Sequence, residues 1–258
     1  MSPHPLGTTN TTIDHIRTTI FRLPMHGALN WGKHSSLSEI LHVLVEITLS
    51  DGATGLAEAP PRPTIYGETA DSITGIIESE LAPRILGRAP VEAPARLHEI
   101  KANNVAKGAL DMAIHAAVAQ SRGVTLAEHL GANREHVRVS YILGMAERET
   151  MLSEALRVYD QGVRVLKVKV GRDWEEEIGR LGDLRQVLGA DCDLYADANE
   201  CITTENAERR LDELQEMGLL YCEEPLPIEQ IHARSQLRAA AHLPLIGDDS
   251  CVTERDLR

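Results

Sequence analysis

Aromatic side chains are scarce in this 258-residue chain: two Trp, five Tyr and one Phe. A base-stacking platform is therefore missing. Positive charge is short as well, with 26 Lys plus Arg against 39 Asp plus Glu and a net charge of −13, which leaves no basic footprint for nucleic acid. No apolar run approaches the ~20 residues of a bilayer span, and the opening MSPHPLGTTNTT has neither a charged nor an apolar leader segment. The expectation is no membrane role and a cytoplasmic location. Only four cysteines occur, Cys192, Cys201, Cys222 and Cys251, without CxxC spacing, so they read as reduced packing residues rather than a zinc site or a disulfide framework. The eleven histidines are scattered, with no HExxH.

What is present is enough apolar material, 43% of residues, to bury a core in one large or two modest domains. Residues 12–23 and 40–50 are rich in β-branched and apolar side chains, and the second run stops at the turn pair Asp51-Gly52, so both read as strands of a small antiparallel sheet. Residues 24–38, Gly- and Ser-rich but holding Trp31, read as a loop that is either functional or anchored by that Trp. The proline-rich stretch 57–69, with Tyr66, reads as a rigid loop leading into a helix near Glu68. Helical pattern then runs to about residue 130, and residues 106–122 carry a face of small alanines suited to close packing.

From residue 136 the pattern changes. Short apolar runs at 137–143, 165–170, 193–199, 219–223 and 244–248 alternate with amphipathic stretches at 150–160, 174–188, 204–217 and 229–240. That rhythm predicts a parallel sheet with helical crossovers. The domains expected are 1–135, α+β, and 136–258, an incomplete β/α barrel of about five strands out of eight.

Polar residues recur at the C-terminal end of each predicted strand: Lys167 and Lys169, Asp197 and Asn199, Glu223 and Glu224, Asp248 and Asp249. The steps from Lys169 to Asp197, Glu223 and Asp248 are 28, 26 and 25 residues, one βα unit each, which sets these groups around one barrel mouth. Alternation along a strand puts Lys167 beside Lys169 on one face, and two ammoniums there need the carboxylates of the next three strands. Three carboxylates repel one another unless a cation joins them, and an all-oxygen set suits a hard ion such as Mg²⁺. With that ion the formal sum is about +1, which an anionic substrate neutralises. Each motif alone has an ordinary structural reading as a strand edge, loop or cap; the ordered set is what points to a site. Glu200, Glu224 and Asp249 follow the inward residues and are expected to support them or cap helices.

LKVKVG at 166–171, DANE at 197–200, EEPLP at 223–227 and GDDS at 247–250, together with HVLVEITLSDGATGLAEAPP, YGET and ALDMAIHAAVAQSRGVTLAEHLG earlier, closely resemble the enolase superfamily in its muconate-lactonizing-enzyme and dipeptide-epimerase branch. The resemblance covers residues 12–258. It implies an N-terminal capping domain and a TIM-type barrel, and an isomerase that removes the proton α to a carboxylate with Mg²⁺ (or Mn²⁺) stabilising the enediolate. By that likeness Asp197, Glu223 and Asp248 are metal ligands, Lys169 is the acid/base and Lys167 its charge-assisting neighbour. Asn199, Glu224, Asp249, Trp31 and Tyr66 would support the site or meet the substrate. A small-molecule carboxylate substrate and a homo-oligomer of the full-length form are also implied. Racemisation or epimerisation of an amino-acid derivative or dipeptide is favoured over muconate-type cycloisomerisation and o-succinylbenzoate-synthase-like dehydration.

One departure from the family is plain: its second lysine, on the sixth barrel strand about 25 residues beyond Asp248, is not encoded before Arg258. The expectation is a C-terminally truncated chain with impaired turnover. Rival readings are a Schiff-base aldolase using Lys169 as nucleophile, opposed by the carboxylates that hold its amine charged, and a non-catalytic fragment or incomplete paralogue.

Overall fold

A computed structural model of the chain describes residues 6–7, 10–31, 35–251 and 256. Two compact units emerge, Met1–Met25 with Glu39–His136, and His26–Ser38 with Val137–Arg258.

The first unit is built on a three-stranded sheet in the order β1 (Ile13–Trp31), β2 (Ser35–Leu49), β3 (Thr54–Ala59). β2 buries every second residue, Val43, Val45, Ile47 and Leu49, as a strand with one covered face must. The β2–β3 turn is held by Asp51, whose carboxylate accepts the Ala53 N–H at 3.0 Å. Helical segments follow: α1 (Ala70–Ile76), a π-helical turn at Ile77–Leu81, α2 (Ala82–Ile85), α3 (Ala93–Leu97), α4 (Asn104–Ser121) and α5 (Leu126–His129). α1 starts behind a reciprocal Thr69–Ser72 cap. The preceding Glu68 is instead buried against α4, accepting the Val105 and Ala106 N–H groups at 2.9 and 3.2 Å; it supplies the cap that Asn103, in a left-handed conformation, does not. The expected alanine face of α4 is buried at Ala106, Ala109, Ala113 and Ala117. It lies so close to β3 that a Cβ on Gly55 would fall 2.0 Å from the Ala113 carbonyl oxygen.

Residues 24–31 and 35–38 are strand rather than the expected loop, and residues 32–34 of that stretch lie outside the described residues. β1 runs on to Trp31 and β2 begins at Ser35. Pro24, the main signal against a strand, lies on β1, an edge strand that need not donate along its outer side. The far end of β1 groups with the second unit rather than with the expected domain 1–135: the Met145 N–H donates to the Asn30 carbonyl at 3.0 Å, and Asn30 Nδ2 donates to the Met145 carbonyl at 3.4 Å.

The second unit holds a five-stranded parallel sheet in sequential order: β4 (Tyr141–Leu143), β5 (Val165–Lys169), β6 (Asp193–Asp197), β7 (Cys222–Glu223) and β8 (Leu245–Ile246). Helices α6 (Arg148–Asp160), α7 (Trp174–Leu188), α8 (Ala207–Glu216) and α9 (Ile231–Ala240) form the crossovers. Leu166, Val168, Leu194 and Ala196 of the strands pack with Leu181, Leu184, Leu211 and Leu214 of the helices in one core. β4 is shorter than the expected 137–143, because only Tyr141–Leu143 find partners on β5 and Val137 and Val139 stay exposed. Three cysteines pack as expected, whereas Cys251 is exposed. Among the described residues no helix is long and apolar enough to cross a membrane.

Candidate active site

Register alone brings the expected groups together. Lys169 pairs with Asp197 across β5 and β6, and Asp197 pairs with Glu223 across β6 and β7, so three strand ends meet at one level. Lys169 Nζ donates to Asp197 Oδ2 at 2.6 Å and to Asn199 Oδ1 at 2.8 Å. Lys167 Nζ lies 2.8 Å from the same Asp197 oxygen and 2.6 Å from Glu223 Oε1. Asp197 is fully buried, and the two lysine side chains are 12% and 8% exposed, so these are ion pairs largely out of water.

The electrostatics follow from that burial. Desolvation is the largest influence on Lys167 and would lower its pKa, but the hydrogen bonds it donates to Asp197 and Glu223 outweigh it and hold the ammonium above its ordinary value. Glu223 is pushed up to about 7, first by burial and then by the Asp197 charge, against the pull of Lys167. Asp249 is also raised, by burial and then by Asp248, Glu224, Asp197 and Glu200, which places it in the same acidic cluster. Glu224 goes the other way: burial would raise it, yet the hydroxyl of Ser250, the Asp248 N–H and Arg234 together lower it.

The loops that present these side chains are shaped by backbone conformations uncommon outside glycine. Asn199 and Glu200, just past β6, have φ of 41° and 63°, and Glu224, just past Glu223, has φ of 42°. Asn199 therefore reaches Lys169 through a left-handed turn, not through the strand alternation expected of it, because β6 ends at Asp197. The turned backbone is tied down: the Glu200 N–H donates to the Glu224 carbonyl at 2.7 Å, and the Glu200 carboxylate accepts the Ile228 N–H at 2.8 Å. Glu177, buried on α7, accepts the N–H groups of Gly171, Arg172 and Asp173, fixing the loop that follows Lys169. Glu177, Arg234 and Ser250 were not legible as site residues in the sequence: no motif includes Glu177 or Arg234, Ser250 enters only as the last residue of GDDS, and their partners lie on other elements.

The remaining expectations divide. Asp248 is exposed on the turn beyond β8 and meets Glu223, whose raised pKa it shares in causing. Tyr66 belongs to the first unit and is 46% exposed. The side chain of Trp31 lies outside the described residues. Among the described residues, no three His, Cys, Asp or Glu side chains are disposed as a metal cluster. The oxygens of Asp197 and Glu223 are instead occupied by the lysine ammoniums. The donor chemistry nevertheless fits a hard cation, since carboxylates end β6 and β7, a third, Asp248, follows β8 and meets Glu223, and all the donors are oxygens.

Comparison with known proteins covers the same part of the chain. The family described as mandelate racemase / muconate lactonizing enzyme, N-terminal domain, matches residues 10–131, and the enolase C-terminal domain-like family matches residues 150–258. An L-Ala-D/L-Glu epimerase of Bacillus subtilis (strain 168) is 31% identical over 83% of this chain, which spans 60% of that protein's length. The muconate lactonizing enzyme of Mycobacterium smegmatis, solved with muconolactone, superposes with a TM-score of 0.91 at 33% identity, covering 95% of this chain and 68% of that one. A dipeptide epimerase of Cytophaga hutchinsonii, solved with Mg and D-Ala-L-Val, gives a TM-score of 0.85 at 25% identity over 95% of this chain and 67% of that one. With parallel strands in sequential order, lysines and carboxylates at their ends and both family domains matched in turn, the chain belongs to the enolase superfamily, in the branch of the muconate lactonizing enzymes and dipeptide epimerases.

Proposed function

We propose that the chain carries the proton-abstracting site of an isomerase acting on a small carboxylate, with an amino-acid derivative or dipeptide racemised or epimerised at its α-carbon. The observation that carries this reading is the buried Lys167–Asp197–Lys169 arrangement, in which two ammoniums share one carboxylate oxygen at 2.8 and 2.6 Å. Lys169 is the base once its amine is neutral, with its Nζ held in position by Asp197 and Asn199. Lys167, gripped by Asp197 and Glu223, stays charged and draws the substrate carboxylate toward the site. Asp197, Glu223 and Asp248 would hold Mg²⁺ or Mn²⁺, which when bound supplies Lewis-acid withdrawal of the charge that proton removal leaves on the substrate carboxylate. Asp197 Oδ2, which serves both ammoniums, would give up at least one of those ion pairs if it also held the cation. Likeness to the muconate lactonizing enzyme supports a second reading, cycloisomerisation, which starts from the same proton abstraction.

The test is incorporation of solvent deuterium at the α-carbon across a panel of dipeptides, N-acyl amino acids and muconolactone, with Mg²⁺ and with chelator. Metal-dependent exchange in a dipeptide or acyl amino acid supports the epimerase reading. Exchange confined to muconolactone supports the second, and no exchange in any member contradicts both.

A further inference from the structure

This inference rests on the proposed cation site and concerns how its third carboxylate is held. Asp248 lies on a turn past β8, without the strand pairing that fixes Asp197 and Glu223. That turn is tied instead to one buried side chain. Glu224 Oε1 accepts the Asp248 N–H, the Ser250 hydroxyl, and the Ser250 N–H at 3.3 Å. Arg234, from α9, closes the ring: Nη1 donates to Glu224 Oε2 at 2.8 Å and to the Leu226 carbonyl at 2.6 Å, while Nη2 donates to Ser250 Oγ at 2.8 Å. Glu224 and Ser250 are 1% and 8% exposed. The fit is tight, since a Cβ on Gly247 would stand 2.8 Å from Cys251 Sγ and 3.0 Å from Ser250 Oγ.

Glu224 is next to Glu223 in sequence, and its left-handed φ sends the two carboxylates in different directions, one to the lysines and one to the Asp248 turn. We propose that Glu224, Arg234 and Ser250 form a clamp that positions Asp248 for the cation, so that Arg234, remote from the lysines, is a positioning residue acting through Glu224 and Ser250. A bidentate guanidinium suits this role because its two nitrogens reach the carboxylate and the hydroxyl at once, which a lysine cannot do.

The test is Mn²⁺ titration of the 258-residue chain by calorimetry and by the electron paramagnetic resonance of free Mn²⁺. Arg234→Ala and Ser250→Ala are each expected to weaken Mn²⁺ binding ~10-fold or more, as loss of a ligand-orienting partner does. Ser250→Thr, which keeps the hydroxyl, and Arg238→Ala, on the same helix, should bind like the parent. Ser250→Ala removes one oxygen only and carries the test if Arg234→Ala fails to fold. Unchanged affinity in both alanine variants, with binding still lost in Asp197→Asn, overturns the clamp and leaves the cation site standing. Equal weakening in Ser250→Thr and Arg238→Ala would mark general loosening and also overturn it. A parent chain that binds no Mn²⁺ overturns the cation site and the clamp together.

Discussion

His129 shows how burial and close neighbours together decide a residue's behaviour. Its Nε2 lies 2.9 Å from His115 Nδ1 and its Nδ1 lies 3.2 Å from Arg122. Burial, then His115 and Arg122, lower its pKa below the ordinary histidine value, so the folded chain resists the proton that the unfolded chain accepts. Stability is therefore complete above the unfolded value of about 6.5 and falls as pH drops through it. Urea midpoints at pH 7.5 and 5.5 should show this loss in the parent and a smaller one in His129→Gln; equal losses would remove His129 as a cause. The residues of the proposed site were read from sequence because each motif ends a strand one βα unit after the last. Glu68, Glu177, Arg234 and Ser250 were not, since what makes each matter is a partner on another element.

At the scale of elements, close approach sets tolerance to change. β3 and α4 touch at Gly55, where a methyl would meet backbone: 2.0 Å from the Ala113 oxygen and 2.4 Å from the Ala117 nitrogen. Backbone cannot swing aside as a side chain can, so Gly55→Ala should destabilise by ~1–3 kcal/mol or more. Gly75, inside α1, has nothing within 4 Å, and Gly75→Ala should stabilise by ~0.5–1 kcal/mol through helix propensity. Equilibrium urea unfolding of the two variants checks the opposite signs. The helix and strand rhythm of residues 150–246 was legible because parallel strands buried on both faces read as apolar runs between amphipathic helices. The long extent of β1 and β2 was not. Pro24 and the Gly and Ser content of 24–38 argue for loop in a central strand, and only the edge position of β1 makes them compatible with pairing.

Across the whole molecule, two cores divide the work. One is formed by the sheet and α4 of the first unit, the other by the parallel strands and their helices, and the proposed ligands all belong to the second. A cation bound there should stabilise that unit, by ~2.7 kcal/mol at a hundredfold excess over Kd. Calorimetric melting with increasing Mg²⁺ should raise the transition of the second unit in the parent and leave Asp197→Asn unmoved; equal shifts in both would place the metal elsewhere. The central claim, that Lys169 moves the α-proton, is tested most directly by solvent-deuterium exchange from each enantiomer of a dipeptide or acyl amino acid that the parent labels, measured in Lys169→Ala. The account predicts that in that variant exchange disappears from every stereoisomer that the parent labels, and undiminished exchange would contradict it.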